Sequence, residues 1–385
     1  MLNAVDRREV VLLDLSAAFD TIDHKFLINR LQHRIGLSGN VLQWVCTYLK
    51  CRSSRVFIDD CYSQSYPLMS GVPQGSVIGP LMFIIYTLPI GDIIRKHNVC
   101  FHAYADDKQL YDSFNPNTVG AAEMSLQKLQ GCISELQSWM NPNKLKLNSD
   151  KTEFFIAGSI HSLKKLPNLE LKVGDHVIRP SPNVRNLGVV FDNKMSMTKQ
   201  VNSIISSAYL QLRNIKRIQR YLDKDTKHHV VRALILSRLD YANSLLYGLK
   251  SQDLRRLQSI QNKAAKLIFS VPRLTNPVPL LNKLHWLPIQ NRIKFKLCLL
   301  IYKCLNESAP TYLINEISLK PALSSGAVTR SAQDKTLLVI PACKKSIGDK
   351  AFAVAGPSIW NRLPQSVREA KSVNQFKKLL KTHLF

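Results

Sequence analysis

The sequence predicts an α+β protein whose strands and hairpins lie in its first half and whose second half is helical. Three observations carry this. The runs Val99-Cys100-Phe101 and Gln109-Leu110-Tyr111 flank Tyr104-Ala105-Asp106-Asp107, which describes a hairpin with two carboxylates at its tip. Residues 9–15 form an apolar run of strand length carrying one acid, Asp14, near its end. From about Ser196 onward, apolar residues recur at helical spacing among cations.

The elements follow in order. Residues 9–15 make the first strand. Asp23 reads as the N-cap of a helix through about Arg34, with Gly36 as its stop and Phe26, Leu27, Leu31 and Ile35 as its core stripe. A second helix over residues 38–49 is expected to bury Val41, Leu42, Trp44, Val45 and Tyr48. Residues 52–58 and 66–69 suggest a hairpin. The turn-rich loop 71–76 opens onto an apolar run, residues 77–88, too short to cross a bilayer and read as a buried helix. Residues 117–140 form an amphipathic helix faced by Leu126, Leu129, Ile133, Leu136 and Met140. Residues 154–157 and 169–173 look like strands. Gly188, read as lying within a strand, marks a close backbone approach or a bulge. Helices then run from 196, where Ile204, Tyr209, Leu212, Ile215 and Ile218 give the apolar pattern, and over 225–240, 252–269, 290–305 and 372–383. Residues 318–345 are expected to be a linker, and the stretch around Trp360 an apolar docking segment.

Composition bounds the class. A chain of 385 residues with 45% hydrophobic content has room for two or three globular domains. No apolar run is long enough to span a membrane, and the first residues lack a signal-peptide core. The eight cysteines are scattered with no Cys-x-x-Cys pair, which points to neither a zinc ribbon nor a disulfide scaffold. A reduced intracellular setting, nucleus or cytoplasm, is expected. Residues 1–150 hold 14 Lys+Arg against 14 Asp+Glu, and the remainder holds 39 against 13, so the whole net charge of +26 lies in the later part. That asymmetry suggests a polyanionic partner, nucleic acid or an anionic membrane, with a lysine-rich solubility surface as the alternative.

Adjacent carboxylates repel, so an Asp-Asp turn is either simply solvated or holds a cation. Mg²⁺ takes hard oxygen ligands and usually one or two carboxylates. Asp14, at the end of a buried strand, could bring a third carboxylate to Asp106 and Asp107. Such a set could hold two Mg²⁺ about 4 Å apart for a phosphoryl displacement.

Leu13-Asp14-Leu15-Ser16-Ala17-Ala18-Phe19-Asp20, Ser70-Gly71-Val72-Pro73-Gln74-Gly75-Ser76 and Tyr104-Ala105-Asp106-Asp107 resemble, in order and spacing, the A, B and C motifs of reverse transcriptases of non-LTR (LINE-type) retrotransposons. The resemblance implies a polymerase palm, an antiparallel sheet with helices on one face, over residues 1–194. It implies a basic helical thumb over 195–317 and a C-terminal linker and helical segment over 318–385. It implies two Mg²⁺, with Mn²⁺ as a substitute, held by Asp14, the Leu15 carbonyl, Asp106 and Asp107. Phe19 matches the position that excludes a 2′-OH. Pro73, Gln74 and Gly75 match the floor under nucleotide and template. Lys151 matches the lysine beside the leaving pyrophosphate, and Leu187 and Gly188 match the primer grip. Arg213, Lys216, Arg217, Arg220, Arg255, Arg256, Lys263 and Lys266 are the cations expected on the nucleic-acid backbone. The partners implied are an RNA template, a DNA primer and deoxynucleoside triphosphates. The chain begins about ten residues before the first catalytic strand, so N-terminal truncation is expected, with fingers supplied by an upstream polypeptide. The alternative is a catalytically inactive remnant that only binds nucleic acid.

Overall fold

A computed structural model describes residues 8–16, 18–50, 52–73, 75–115, 117–319, 336–343 and 348–385. The chain separates into two compact units, one of Asp6–Val184 and one built on Arg185–Phe385, each with its own apolar core.

In the first unit, β1 (Arg8–Leu13) is the central strand of a sheet and stops at Asp14, after which β2 (Leu15–Ser16) takes a different partner. α1 (His24–His33) begins at Asp23, whose Oδ1 accepts the N–H groups of Lys25 (2.8 Å) and Phe26 (3.2 Å), as a capping aspartate should. Its buried stripe is narrower than expected: Leu27 and Leu31 are fully buried, but Phe26 and Ile35 are exposed. In α2 (Gly39–Leu49), Val45 and Leu49 are buried whereas Val41 and Trp44 are each 58% exposed. Within this unit α2 packs chiefly on α1, so only the stripe facing α1 is covered. The hairpin expected next is a stepped ribbon of β3 (Ser53–Ser54), β4 (Phe57–Ile58), β5 (Cys61–Tyr62) and β6 (Tyr66–Pro67). β3 pairs with β6 and β4 with β5, and all eight residues are exposed.

α3 (Gly79–Lys96) outruns its apolar stretch by a further two turns, with Pro80 accommodated in the first turn. β7 (Cys100–Tyr104) and β8 (Asp107–Ser113) form the expected hairpin. α4 (Ala121–Met140) buries the five residues of its expected face. β9 (Lys146–Leu147) pairs with β2, and β10 (Glu153–Ala157) with β1. After a single turn, α5 (Ile160–Leu163), come the hairpin of β11 (Leu171–Val173) and β12 (His176–Ile178), and then β13 (Pro180–Ser181). The main sheet has the order β13-β10-β1-β8-β7, antiparallel except for the β13–β10 pair. Its register aligns Phe154, Val11, Leu110 and Phe101 across four strands. The first three are buried on the face that meets α3 and α4.

In the second unit, β14 (Asn183–Asn186) pairs with β15 (Val189–Asp192) where the chain passes between units. The helices are α6 (Thr198–Ile218), α7 (Lys224–Val231), α8 (Ser237–Asp240), α9 (Ser251–Ile268), α10 (Val278–Lys283), α11 (Ile289–Leu305), α12 (Thr311–Ile314), α13 (Phe352–Trp360), α14 (Gln365–Arg368) and α15 (Val373–Leu384). The helix expected over 225–240 is interrupted by a π turn at Arg232–Leu236. On α6 the buried line is Val201, Ile204, Ala208, Leu212 and Ile215, while Tyr209 and Ile218 turn outward. α11 packs on α9, α13 and α15. Trp360 is buried with its Nε1–H donated to the Thr336 carbonyl at 2.9 Å, and Tyr302 stacks on Phe376 at 4.3 Å. The C-terminal segment is thus docked into the core of this unit. Most of the linker expected over 318–345 falls outside the described residues. No helix among the described residues is long and apolar enough to cross a membrane.

Candidate active site

The geometry of the carboxylates follows from strand register. β1 pairs with β8 antiparallel, Leu13 opposite Lys108, and β7 pairs with β8, Tyr104 opposite Asp107. Side chains alternate along a strand, and residues directly opposite share a face. Val11, Leu13, Lys108 and Leu110 therefore point into the helix-covered layer, where all four are buried. Asp14, one step beyond Leu13, and Asp107, one step before Lys108, project together from the other face. Asp106 occupies the two-residue turn between β7 and β8, beside Asp107. A slip of one residue in this pairing would bury Asp107 and expose Lys108.

Asp14 is fixed from both sides. It lies where the chain leaves the large sheet, and its carbonyl accepts the N–H of Asn148 at 2.9 Å just before Leu15 pairs with Leu147. The turn that follows β9 carries Lys151, whose backbone N–H is held by Asn148 Oδ1 at 3.3 Å. Lys151 Nζ stands 3.9 Å from Asp14 Oδ2, with its side chain 71% exposed. The lysine is placed beside the carboxylate yet remains free to swing toward another anion.

The electrostatics agree with the placement. The carboxyl of Asp107 is held above its ordinary range, first by partial burial and then by the negative charges of Asp106 and Asp14, while Lys108 pulls it the other way. The three carboxylates thus feel one another. Among the described residues, no three His, Cys, Asp or Glu side chains are drawn together as a ready cation cage. Like charges stand apart until a cation lies between them. The donors on offer here, carboxylates and backbone carbonyls, are the hard oxygens that Mg²⁺ and Mn²⁺ take, so the residue set fits such ions.

A second group of contacts joins the turn after Asp14 to the loop around Gly71. The Val72 N–H donates to the Phe19 carbonyl (2.9 Å), the Gly71 N–H to the Ile22 carbonyl (2.8 Å) and Ser70 Oγ to the Asp20 carbonyl (3.1 Å). His24 Nε2 lies 2.8 Å from the Gly71 carbonyl. Phe19 is half-buried, and its ring meets Phe83 of α3 at 5.0 Å. Asp20 is an exposed turn residue. Pro73 and Gly75 continue the loop into α3, with the Pro73 carbonyl accepting the Ser76 N–H at 3.2 Å. Gln74 lies outside the described residues. The sheet unit thereby sets Asp107 and Lys151 each near Asp14, with Asp106 in the turn beside Asp107, and ties Phe19 to Gly71 and Val72.

The remaining candidates belong to the helical unit. Leu187 (φ 45°) and Gly188 (φ 78°) form the turn between β14 and β15, which corrects the expectation that Gly188 lies within a strand. Two consecutive positive φ angles are what a tight two-residue hairpin requires. Tyr241 braces this turn, its hydroxyl donating to the Leu187 carbonyl at 2.6 Å. Arg213, Lys216, Arg217, Arg220 and Arg255 are exposed. The other three cations are engaged within the unit. Arg256 binds Asp253 and Asn202, Lys263 donates to the Tyr209 hydroxyl, and Lys266 donates to the Arg273 carbonyl.

Sequence reasoning missed His24, Asn148, Tyr241 and Lys108. Three of these act on backbone carbonyls or N–H groups distant in sequence, which no local pattern announces. Lys108 carried a signal: a cation directly after the acidic pair falls on the face shared with Leu110.

Residues 4–191 match the family model for reverse transcriptase (RNA-dependent DNA polymerase). The chain is 26% identical over 293 residues to a probable RNA-directed DNA polymerase from transposon BS of Drosophila melanogaster, covering 71% of this chain and 30% of that protein. It is 26% identical over 280 residues to the one from transposon X-element of the same species, covering 70% and 29%. It is 22% identical over 283 residues to the RNA-directed DNA polymerase from mobile element jockey of Drosophila funebris, covering 70% and 30%. The chain thus spans about three-tenths of the length of these relatives. Residues 4–191 belong to the reverse transcriptase (RNA-dependent DNA polymerase) family.

Proposed function

We propose that this chain is the catalytic part of an RNA-directed DNA polymerase, adding deoxynucleotides to a DNA primer on an RNA template. The observation that supports it best is the shared face of Asp14 and Asp107, with Asp106 in the adjoining turn and Lys151 Nζ 3.9 Å from Asp14. On this reading the sheet unit is the palm and the helical unit carries the thumb. Asp14, Asp106, Asp107 and the Leu15 carbonyl would hold two divalent ions, Mg²⁺ or Mn²⁺, which when bound would lower the pKa of the primer 3′-hydroxyl and offset triphosphate charge.

The protein's own groups do the rest. Lys151 neutralises or protonates the departing pyrophosphate, a role for which an exposed amine tethered at its backbone is suited. Phe19, backed by Phe83, presents a ring where a ribose 2′-OH would clash. The loop through Pro73, Gln74 and Gly75 lies under the nucleotide and template base. Leu187 and Gly188 form a braced turn against the primer end. The exposed cations of α6 and α9 hold the phosphate backbone, a contact that positions the duplex and does not read its sequence. The setting is intracellular, where template, primer and nucleotides meet.

Primer extension on an RNA template with Mg²⁺ and deoxynucleotides, beside an Asp106→Asn control, tests the reading. Extension by wild type alone supports it. Extension by neither, with duplex binding kept by both, would leave a protein that only binds nucleic acid.

A further inference from the structure

Lys108 is the most anomalous charged residue of the sheet unit. It follows the acidic pair directly, yet only 3% of it is exposed. No carboxylate among the described residues lies within ion-pair distance of its amine, and burying a cation unpaired is costly. Nζ instead donates to the Ala105 carbonyl at 3.2 Å. Ala105 has φ 53°, a left-handed conformation that an L-residue with a Cβ adopts only at a cost. Its carbonyl lies in the turn, outside the ladder that closes at the Tyr104–Asp107 pair. The amine also stands 5.3 Å from the centroid of the Phe83 ring, and that ring lies against Phe19.

We propose that Lys108 is a positioning residue of the active site, a buried cation that fixes the Ala105–Asp106 turn through the Ala105 carbonyl and seats the Phe83–Phe19 ring pair. This rests on the polymerase reading above for its consequence, though not for its geometry. From one side of the sheet the ammonium opposes the repulsion between Asp106 and Asp107 on the other. Through Phe83 the same side chain links the carboxylate turn to the ring offered to the sugar. Two parts of the site that lie on different segments would then be set by one buried group.

The test replaces Lys108 in the full chain with Met and, separately, with Leu. Both remove the amine and the charge while filling its space. A buried charge is lost, so each variant is expected to melt at or above the wild-type temperature. The first readout is amide hydrogen exchange of the peptide spanning residues 100–112, without nucleic acid. The amides of the turn should exchange roughly tenfold faster or more, while those of α4 stay unchanged. Unchanged exchange in a folded variant overturns the proposal, whether or not the chain polymerises. The second readout is steady-state primer extension. The expectation is a kcat roughly tenfold lower with nucleotide KM and duplex affinity preserved, together with weaker discrimination against ribonucleotides. A faster-exchanging turn with unchanged kcat and discrimination also overturns it. If wild type itself does not extend, the polymerase reading fails on its own, and the exchange result still decides whether Lys108 holds the turn.

Discussion

Replacing Gly71 by alanine should separate the loop around Gly71 from the turn after Asp14. Gly71 has φ +85°, and a Cβ there would lie 2.9 Å from the Asp20 carbonyl oxygen, 3.1 Å from its Cα and 3.2 Å from its carbonyl carbon. All three are backbone atoms, so no side chain can rotate away, and the four contacts that join Ser70, Gly71 and Val72 to residues 19–24 must give instead. The left-handed conformation costs an L-residue about 1–2 kcal/mol. Forcing an atom into a packed contact adds about 1–3 kcal/mol. The sum is about 2–5 kcal/mol, a large share of the ~5–15 kcal/mol typical of a whole domain. Gly75 supplies the control, because it has φ +80° with nothing within 4 Å of its virtual Cβ. Gly75→Ala should therefore cost only the conformational part. For a domain of this size the difference corresponds to a midpoint roughly 2–12 °C lower for Gly71→Ala than for Gly75→Ala. Hydrogen exchange of the β1 and β8 amides against temperature follows the sheet unit separately from the helical one. Equal destabilisation by the two substitutions would refute the claim that this loop is seated on the Asp20 backbone.

Other outcomes follow from the same structure. Lys151→Ala should leave stability within about 0.5 kcal/mol, because the Asp14 pairing is long and largely exposed, yet lower primer extension roughly a hundredfold; a destabilised but active variant contradicts this. Asp192 is buried and accepts the N–H groups of Lys194, Ser196 and Met197 and the Ser196 hydroxyl, at 2.8–3.2 Å. Asp192→Ala should cost at least ~3 kcal/mol by leaving those donors at the start of α6 unmet, and a loss under ~1 kcal/mol in chemical denaturation would count against it. Arg213→Ala, Lys216→Ala and Arg217→Ala should each cut the slope of log affinity for duplex against log salt by about one. Lys266→Ala, whose amine is occupied by the Arg273 carbonyl, should leave that slope unchanged. Glu135 is held below the usual carboxylate range by hydrogen bonds from Lys96 and then His97. Its support of the α3–α4 packing is therefore complete above the unfolded value near ~4.3 and is lost as pH falls through the lower folded value. The stability difference between wild type and Glu135→Gln should shrink toward zero in acid, and a difference independent of pH would contradict the assignment.

What the sequence disclosed was whatever is encoded locally. Asp23 before an amphipathic stretch names a helix start because the cap bonds reach only two and three residues ahead. Two short apolar runs around Ala105-Asp106 name a hairpin because its partners are consecutive. The Leu126–Met140 stripe on α4 is legible for the same reason. Partners distant in the chain were not legible. Alternation marks the two faces of β1 but not that Leu13 pairs with Lys108, nearly a hundred residues on. Nor does it show that the chain changes sheets at Asp14. Burial of Val41 and Trp44 was misjudged because a helix pattern states which face is apolar and not how much of it a neighbour covers. Gly188 was misread because glycine suits a bulge and a turn alike, and what decides between them is the pairing of β14 with β15.

Four departures from local rules in the sheet unit fall together. A left-handed alanine, two adjacent carboxylates with a third facing them, a buried lysine with no carboxylate among the described residues in ion-pair reach and a strand that changes sheets all lie among Asp14 and residues 105–108. Each alone is unfavourable, and a sequence specifying only a stable sheet would place an apolar residue at 108 and a Gly or Asn at 105. A few residues away the same strands obey the rules, with the Phe154, Val11, Leu110 and Phe101 row filling one face. Strain persists where surrounding structure over-determines it, and here two ladders clamp Asp14 while three strands hold the turn. The unfavourable terms share one product: negative charge held on the open face of a rigid sheet, with its own compensating cation on the closed face. A stable fold has no use for that arrangement, whereas binding divalent cations and the phosphates they carry depends on it. If that is its origin, the residues that cost stability should be the ones whose replacement by apolar or relaxed alternatives raises the melting temperature and lowers extension together. Lys108→Met and Ala105→Gly are the two cases in which both effects can be read on the same protein.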